Sequence, residues 1–240
     1  MRALWRLARL VPHVLHGLWI VKWRFELLTD AERHQLIQWW SVKTLRILGI
    51  ALTSEGQALP AGHLVVANHV SWLDIAAVHA VLPQARFVSK ADVKHWPLVG
   101  ALVEGAGTLF IERASKRDAL RVVHQTAAAL QAGDCVAVFP EGTTGAGPEL
   151  LPFHANLLQA AVSVQAPVLP VVLRWHEPGE RFSTVARFVG DTTLAQSLWA
   201  IASARGLGID VQILPGVATA GQDRRALGEA LRESIAKTLG

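Results

Sequence analysis

A histidine and a carboxylate that could act together as a general base lie five residues apart in the first third of the chain. They are His69 and Asp74, within the run Asn-His-Val-Ser-Trp-Leu-Asp that directly follows an apolar segment at residues 63–67. An imidazole titrates near neutral pH, and a carboxylate on its second nitrogen fixes the tautomer and stabilises the charged form. The pair could equally be part of a helix cap, because Ser71 and Asp74 have the spacing of a capping box.

The spacing restricts how these two side chains could meet. Five residues of a continuous helix rotate by about 500°, which leaves the first and last side chains about 140° apart. If the pair works together, His69 must therefore lie in a turn before a helix, with Asp74 in the first turn of that helix.

Two further polar residues follow apolar runs in the same way. Arg113 ends the segment Gly-Thr-Leu-Phe-Ile-Glu-Arg, and Glu141 lies in the glycine-rich segment Phe-Pro-Glu-Gly-Thr-Thr-Gly. Taken singly, Arg113 could be a surface residue and Glu141 part of an ordinary turn. Because functional groups gather at the carboxyl ends of strands in parallel sheets, their joint placement favours one site on one rim.

Strands and helices alternate over most of the chain after residue 50. This alternation predicts an α/β fold, a mostly parallel twisted sheet flanked by helices, and several strands are solid Val, Leu and Ile runs of the buried kind. A short loop is expected at residues 54–56. The expected strands are Leu64–Asn68, Arg86–Ser89, Thr108–Ile111, Cys135–Phe139, Val168–Leu173, Ala186–Val189 and Ile209–Leu214. The expected helices are Trp72–Val81, Trp96–Glu104, Lys116–Gln131, Ala155–Gln165, Leu194–Ala204 and Arg224–Leu239.

The composition is that of an apolar globular protein of 240 residues, 51% hydrophobic and 18% charged. The single cysteine, Cys135, excludes an internal disulfide and an all-cysteine metal site, and its apolar neighbours predict an inert buried thiol. The other histidines show no ligand spacing such as H-E-x-x-H, so no metal is expected.

Positive charge and tryptophan are concentrated in residues 1–50. This segment carries eight Lys and Arg, three acidic residues and five of the nine tryptophans, whereas residues 51–240 carry 15 basic and 16 acidic residues. Helical patterns cover Met1 to about Leu28 and Asp30–Leu48, and basic and tryptophan side chains beside an apolar stripe favour the membrane interface over nucleic acid. The stripe consists of Leu4, Leu7, Val11, Val14, Leu15, Leu18 and Trp19.

These patterns divide the chain into an amphipathic two-helix membrane-association segment at residues 1–50 and one domain at residues 51–240. The longest stretch without Lys or Arg in the segment, Leu10–Val21, is too short to cross a bilayer and has no cleavage site of a signal peptide. We therefore expect a protein that associates with the membrane from one side. The simpler alternative is that both helices only pack on the core, with their arginines in solvent.

Four ordered segments of this chain resemble the four blocks of the glycerolipid acyltransferase family, which includes the 1-acylglycerol-3-phosphate acyltransferases. The blocks of that family read N-H-x4-D, G-x-x-F-I-x-R, F-P-E-G-T and an apolar run with proline. The resemblance covers about residues 60–180, and the ordered set is specific although each block is degenerate. The matching residues here are 68–74, 107–113, 139–143 and 168–171.

The resemblance implies an enzyme that moves a fatty acyl group from acyl-CoA or acyl-carrier protein to the free hydroxyl of 1-acylglycerol-3-phosphate, in phospholipid biosynthesis. His69 would deprotonate that hydroxyl, and Asp74 would hold the imidazole. No metal or other cofactor would be needed. The site of action would be the cytoplasmic face of the cell membrane, where the protein would be peripheral or monotopic and bind membrane lipids.

The resemblance also implies residues that bind the acceptor. Arg113, with Lys90 from a lysine-containing segment similar to one in many members, would bind an anionic group such as phosphate. Glu141 and the backbone amides of Gly142 and Thr143 would position the glycerol moiety.

The third block departs from the family pattern in a way that bears on the acceptor. Many members have an arginine after the threonine, where this chain has Thr144, and a lysine where it has His154. The phosphate site would lose a cation, so a lyso-ornithine lipid, which has no phosphate, is the alternative acceptor. Because Lys90 and Arg113 remain, 1-acylglycerol-3-phosphate stays the first expectation.

Two other functional classes stay open. A catalytically silent lipid-binding membrane protein could keep the fold, although the presence of both His69 and Asp74 argues against it. A thioesterase or lipase with Ser71 as nucleophile would need a G-x-S-x-G elbow, which does not surround this serine.

Overall fold

The structure is a computed structural model that describes residues 1–60, 62–96, 98–111 and 116–240. Short 3₁₀ turns lie at Phe25–Leu27 and Ala91–His95. The helices are α1 (Arg2–Trp23), α2 (Asp30–Leu48), α3 (Asp74–Val81), α4 (Val99–Gly105), α5 (Lys116–Gln131), α6 (Leu158–Val164), α7 (Leu194–Ser203) and α8 (Arg224–Leu239). The strands are β1 (Ala51–Glu55), β2 (Leu64–Ala67), β3 (Ala85–Lys90), β4 (Leu109–Ile111), β5 (Cys135–Val138), β6 (Val168–His176) and β7 (Gly208–Ile213).

Within the described residues, the strands form one seven-stranded sheet in the order β1-β7-β6-β2-β5-β3-β4. All neighbouring pairs are parallel except β6 and β7. The prediction of a mostly parallel sheet flanked by helices is confirmed. The parallel run from β6 to β4 brings five carboxyl ends to one edge, with β2 between β5 and β6.

Helices cover both faces of this sheet. The side chains of β2 alternate, so that Val65 and Ala67 pack in one core cluster with residues of α2, α3 and α7, while Leu64 and Val66 pack in another with residues of α6 and α8. All four side chains of β2 are buried. Burial on both faces explains why β2 reads as a solid apolar run rather than an alternating one.

The strand predicted at residues 186–189 is wrong. This segment is irregular, because its backbone bonds to loops instead of a strand ladder. The amide of Phe188 donates to the carbonyl of Val70 at 3.0 Å, and its carbonyl accepts from the hydroxyl of Thr144. The apolar residues that suggested a strand are explained by burial, since Ala186 lies fully inside the core.

The loop predicted at residues 54–56 is also wrong at its start, because β1 extends over Ala51–Glu55 and pairs with β7 at the edge of the sheet. Most of β1 is exposed, and only Leu52 is partly buried. An edge strand that is exposed on both sides has neither an apolar run nor an alternation, so the sequence carried no signal for it.

The predicted apolar stripe of α1 lies on two sides of the helix. Leu7 and Val14 pack against the core, whereas other members of the stripe are in solvent. Arg6 anchors the helix by donating to the carbonyls of Ala202 and Ala204 at the end of α7, at 3.1 and 2.9 Å. The exposed members are Leu4 (62% exposed), Val11 (60%), Leu15 (53%) and Trp19 (49%).

Both N-terminal helices pack on the rest of the chain, α1 on α4 and α7 and α2 on α3. The division into residues 1–50 and 51–240 stays a prediction. Within the described part of the chain, no helix combines the length and the apolar character needed to cross a membrane.

Candidate active site

His69 and Asp74 meet at the carboxyl end of the central strand. His69 lies in the turn after β2, and Asp74 is the first residue of α3. The imidazole Nδ1 and the carboxylate Oδ2 are 2.8 Å apart. The carboxylate is completely buried, and the imidazole side chain is 17% exposed. The base of the pair therefore reaches the surface, while its partner is shielded from water.

The turn itself holds the Asp74 carboxylate in place. Its Oδ2 also accepts the backbone amides of Val70 at 2.7 Å and Ser71 at 2.9 Å. The Ser71 hydroxyl in turn accepts the amide of Leu73 at 3.3 Å. Asp74 thus satisfies two backbone donors of the turn before α3 and contacts His69 at the same time. The capping box suggested by the Ser71–Asp74 spacing does not form, because α3 has Leu73 as its N-cap and no side-chain cap bond.

Contacts from the loop after β5 position His69. Its imidazole stacks on the Phe139 ring, with centroids 3.9 Å apart and planes 6° from parallel. Its backbone amide donates to Glu141 Oε1 at 2.7 Å, and its carbonyl accepts the amide of Gly145 at 2.7 Å. The third sequence block therefore packs directly on the first.

Glu141 joins two loops of the protein. Besides His69, it accepts the backbone amide of Leu151 through Oε2 at 2.9 Å, and it is 4% exposed. Burial raises the pKa of the Glu141 carboxyl above its usual range, and the bonds from Leu151 and His69 partly offset this effect. Both carboxylate oxygens are thus engaged with backbone amides, and a contact of Glu141 with a substrate stays a prediction.

Gly142 and Thr143 form the turn that follows Glu141. Gly142 has a φ of +74°, a conformation that favours glycine, and its amide donates to the carbonyl of Phe139 at 3.0 Å. Thr143 is exposed beside it. The Gly142 amide already serves the turn, so the expected role of these two amides in positioning an acceptor stays a prediction.

Of the two expected cations, the structure describes Lys90, which lies on β3, on the far side of β5 from β2. Lys90 is the exposed last residue of β3, and its register partner on β4 is Ile111. Arg113 lies outside the residues that the structure describes. Phe87 of β3 stacks on Phe139 at 5.3 Å, which links β3 to the ring that supports His69.

The arrangement can accept a proton at one defined atom. Because Nδ1 faces a carboxylate, Nδ1 carries the hydrogen and the lone pair of the neutral ring is on Nε2. Among the described residues, Nε2 of His69 has no hydrogen-bond partner. The same part of the chain contains no cluster of three His, Cys, Asp or Glu residues able to hold a metal. Cys135 is buried, and burial raises its pKa to about 12.

An apolar cavity of about 290 Å³ lies close to the turn of His69. It is lined by Trp96 and Val99 near the start of α4 and by Phe188 and Leu194, with two threonines. Phe188 also bonds through its backbone to Val70, the residue after His69. Phe188 therefore connects the wall of this cavity to the turn that holds His69.

Two contacts of this site were missed by the sequence analysis. Asn68 donates to the carbonyl of Leu173 at 2.9 Å and accepts its amide at 2.8 Å, which fastens the turn to β6. The indole of Trp175 donates to Asp74 Oδ1 at 2.6 Å. Asn68 belongs to the first block and could have been considered, but Trp175 is 101 residues from Asp74 and no local pattern connects them.

Known proteins resemble this chain in sequence and in fold. A family model described as Acyltransferase matches residues 52–174. The 1-acyl-sn-glycerol-3-phosphate acyltransferase of Neisseria gonorrhoeae is 40% identical over 78% of this chain and 73% of its own length. The lyso-ornithine lipid O-acyltransferase of Pseudomonas aeruginosa is 34% identical over 98% of this chain and 92% of its own.

A solved structure has the same fold. The crystal structure of the 1-acyl-sn-glycerophosphate acyltransferase of Thermotoga maritima superposes with a TM-score of 0.68 at 20% identity, covering 98% of this chain and 96% of that one. Together with the family model and the relatives, this agreement confirms the resemblance drawn from the four blocks. The chain belongs to the acyltransferase family and is an enzyme of that family.

Proposed function

We propose that the protein transfers a fatty acyl group from acyl-CoA or acyl-carrier protein to the free hydroxyl of 1-acylglycerol-3-phosphate, giving phosphatidic acid. The observation that carries the proposal is the 2.8 Å contact between His69 Nδ1 and Asp74 Oδ2, with Nε2 left to accept a proton. The Neisseria gonorrhoeae relative, at 40% identity, is named for this acceptor.

The chemistry follows from that contact. His69 Nε2 removes the proton of the acceptor hydroxyl while its oxygen attacks the thioester carbonyl, and Asp74 stabilises the imidazolium. The tetrahedral intermediate collapses by breaking the carbon–sulfur bond, and the imidazolium returns its proton to the thiolate. One ester bond forms and one thioester bond breaks, so the reaction needs no metal or other cofactor.

Substrate binding uses the surroundings of the pair. Lys90 and Arg113 bind the anionic group of the acceptor, and Glu141, Gly142 and Thr143 shape the loop beside its glycerol moiety. The apolar cavity beside Phe188 suits an acyl chain, since it is lined mainly by aromatic and aliphatic side chains.

A lyso-ornithine lipid is the second candidate acceptor. Two observations favour it: Thr144 stands where many relatives carry an arginine, and the Pseudomonas aeruginosa relative named for that acceptor aligns over 98% of this chain. The hydroxyl chemistry at His69 would be the same, and only the binding of the head group would differ.

The acceptor is tested with purified protein in detergent, labelled oleoyl-CoA and a panel of lysolipids. We expect the highest kcat/KM with 1-acylglycerol-3-phosphate. Transfer to lyso-ornithine lipid alone would contradict that acceptor but leave the reaction class intact. The His69→Ala variant should lose transfer while it still binds lipid vesicles. Wild-type activity in that variant would refute the proposed mechanism, and no transfer by the wild type to any acceptor would favour the silent lipid-binding alternative.

We also propose that the outer side of α1 holds the enzyme on the cytoplasmic face of the membrane. Two exposed tryptophans on α1 lie under cations. The guanidinium of Arg9 is 4.4 Å from the ring centroid of Trp5, and the ammonium of Lys22 is 5.1 Å from that of Trp23. Cations and indoles on one apolar surface suit the headgroup region of anionic lipids.

Vesicle binding tests this surface. Leu15→Glu places a charge in the exposed stripe of α1, and we expect it to weaken binding to vesicles with anionic lipid by about 10- to 100-fold, since burial of one leucine side chain contributes about 1.5–3 kcal/mol. Ala230→Glu, an equivalent change on the exposed side of α8, is the control. Equal binding of both variants would contradict the assignment of α1 as the membrane contact.

A further inference from the structure

The candidate catalytic carboxylate receives a hydrogen bond from a strand outside its own turn. Asp74 Oδ2 accepts from His69, Val70 and Ser71, all within five residues, whereas Oδ1 accepts the indole N–H of Trp175 at 2.6 Å. We propose that Trp175 is a positioning residue, whose indole N–H fixes the Asp74 carboxylate in the orientation that presents Oδ2 to His69. The inference rests on the proposed function, because it assigns Trp175 a part in the same proton transfer.

The lengths of the strands explain how Trp175 reaches this point. Residues Val168–Val171 of β6 pair with the four residues of β2, and β6 then continues to His176. The continuation runs beside the turn that follows β2, where the Asn68 side chain bonds to both backbone groups of Leu173. Trp175, two residues further along the strand, points to the same side of the sheet as Leu173 and contacts Asp74.

Burial makes this bond important for the geometry. Asp74 is fully buried and Trp175 is 3% exposed, so water cannot easily replace a lost indole donor. The donors on Oδ2 all move with the turn, and Trp175 alone among the described partners of Asp74 belongs to the sheet. Without the indole donor, the Asp74 carboxylate can rotate about its last side-chain torsion. Either oxygen can then accept the hydrogen bonds from His69, Val70 and Ser71.

The first test replaces Trp175 by phenylalanine, which keeps a large ring but removes the donor. We expect kcat to fall about 10- to 100-fold, the range for losing a hydrogen bond to a charged group that positions a base, with the acceptor KM changed less than about threefold. Trp40→Phe is the control, because it removes an indole bond to the carbonyl of His13 on α1 and not a bond to the pair. Wild-type kcat in Trp175→Phe would overturn the proposal.

A double-mutant cycle separates positioning from general packing. If Trp175 acts through Asp74, Trp175→Phe should cost little further activity in an Asp74→Asn background. An equal loss in both backgrounds would show that Trp175 acts independently of Asp74 and would overturn the proposal. The assay uses whichever lysolipid the wild type acylates, so a wrong acceptor does not affect the outcome, and an inactive wild type would count against the proposed function instead.

Two further measurements test the proposal if Trp175→Phe folds poorly or if Asp74→Asn is inactive. Site-specific incorporation of benzothienylalanine at position 175 keeps the shape of tryptophan and replaces the N–H by sulfur, and the same loss of kcat is expected. In ¹⁵N spectra of the detergent-solubilised protein, the indole signal of Trp175 should shift upfield in Asp74→Asn, because a neutral amide replaces a charged acceptor. An unmoved indole signal, or full activity of the isostere, would refute the inference.

Discussion

Replacing Glu141 by glutamine should lower catalytic turnover and stability more than it weakens acceptor binding. The two oxygens of Glu141 accept the amides of His69 and Leu151, so a glutamine could satisfy one amide and would turn its own NH₂ group toward the other. A lost hydrogen bond to a charged group costs about 1.5–3 kcal/mol. For a chain of this size this corresponds to a decrease in Tm of about 3–12 °C.

The effect on rate follows from the position of His69 in the same contact. If its amide is no longer held, the imidazole moves relative to Asp74, and we expect kcat to fall about 10- to 100-fold while the acceptor KM changes less than about threefold. Thermal unfolding and initial-rate kinetics measure both effects. Glu229→Gln, at an exposed position of α8, serves as the control for loss of one carboxylate.

The pH dependence gives a second signature for Glu141. Burial raises the pKa of this carboxyl above its usual value of 4.5, so the folded protein binds the proton more tightly than the unfolded chain. The free energy of unfolding should therefore fall as the pH rises from 4.5 through the raised pKa, and Glu141→Gln should remove this contribution. A tenfold higher acceptor KM with unchanged kcat and Tm would refute the reasoning and favour a direct substrate contact.

Three further outcomes follow from buried groups. Burial lowers the pKa of His79 to about 4, so the free energy of unfolding should fall by about 3 kcal/mol between pH 6.5 and pH 4, and His79→Gln should flatten this loss in denaturant titrations. A Cβ at Gly17 would lie 2.4 Å from Nε1 of Trp40, so Gly17→Ala should lower the Tm, and an unchanged Tm would contradict the packing of α1 on α2. Because burial raises the pKa of Cys135 to about 12, iodoacetamide should label it only after unfolding, as mass spectrometry can verify.

The parts of the fold that the sequence predicted are those in which local pattern and tertiary packing agree. The helices at Lys116–Gln131 and Arg224–Leu239 begin and end as predicted, because each has a periodic apolar side that packs on the sheet. The errors lie where a buried apolar segment is not paired in the sheet, or where a paired strand is not buried. Residues 186–189 are apolar but bond to loops, and β1 pairs with β7 without an apolar pattern of its own.

The same distinction applies to the candidate site. His69 and Asp74 could be identified because their chemistry and spacing are local. Phe139 stacks on His69, and Trp175 donates to Asp74. Both contacts depend on which strands are neighbours, and no single segment of the sequence predicts the strand order. The sequence thus predicts the His69–Asp74 pair, and the topology of the sheet determines which residues contact it.

The strand order brings the first, third and fourth blocks to neighbouring strands. The order β6-β2-β5-β3-β4 places the blocks with the proline run and with Glu141 on either side of the block with His69, and places Lys90 on β3, beyond β5. Two strand spacings, about 10 Å, separate the end of β2 from the end of β3, where Lys90 lies. Because we propose that Lys90 binds the anionic group of the acceptor, Lys90→Ala should raise the KM for an anionic lysolipid more than it lowers kcat.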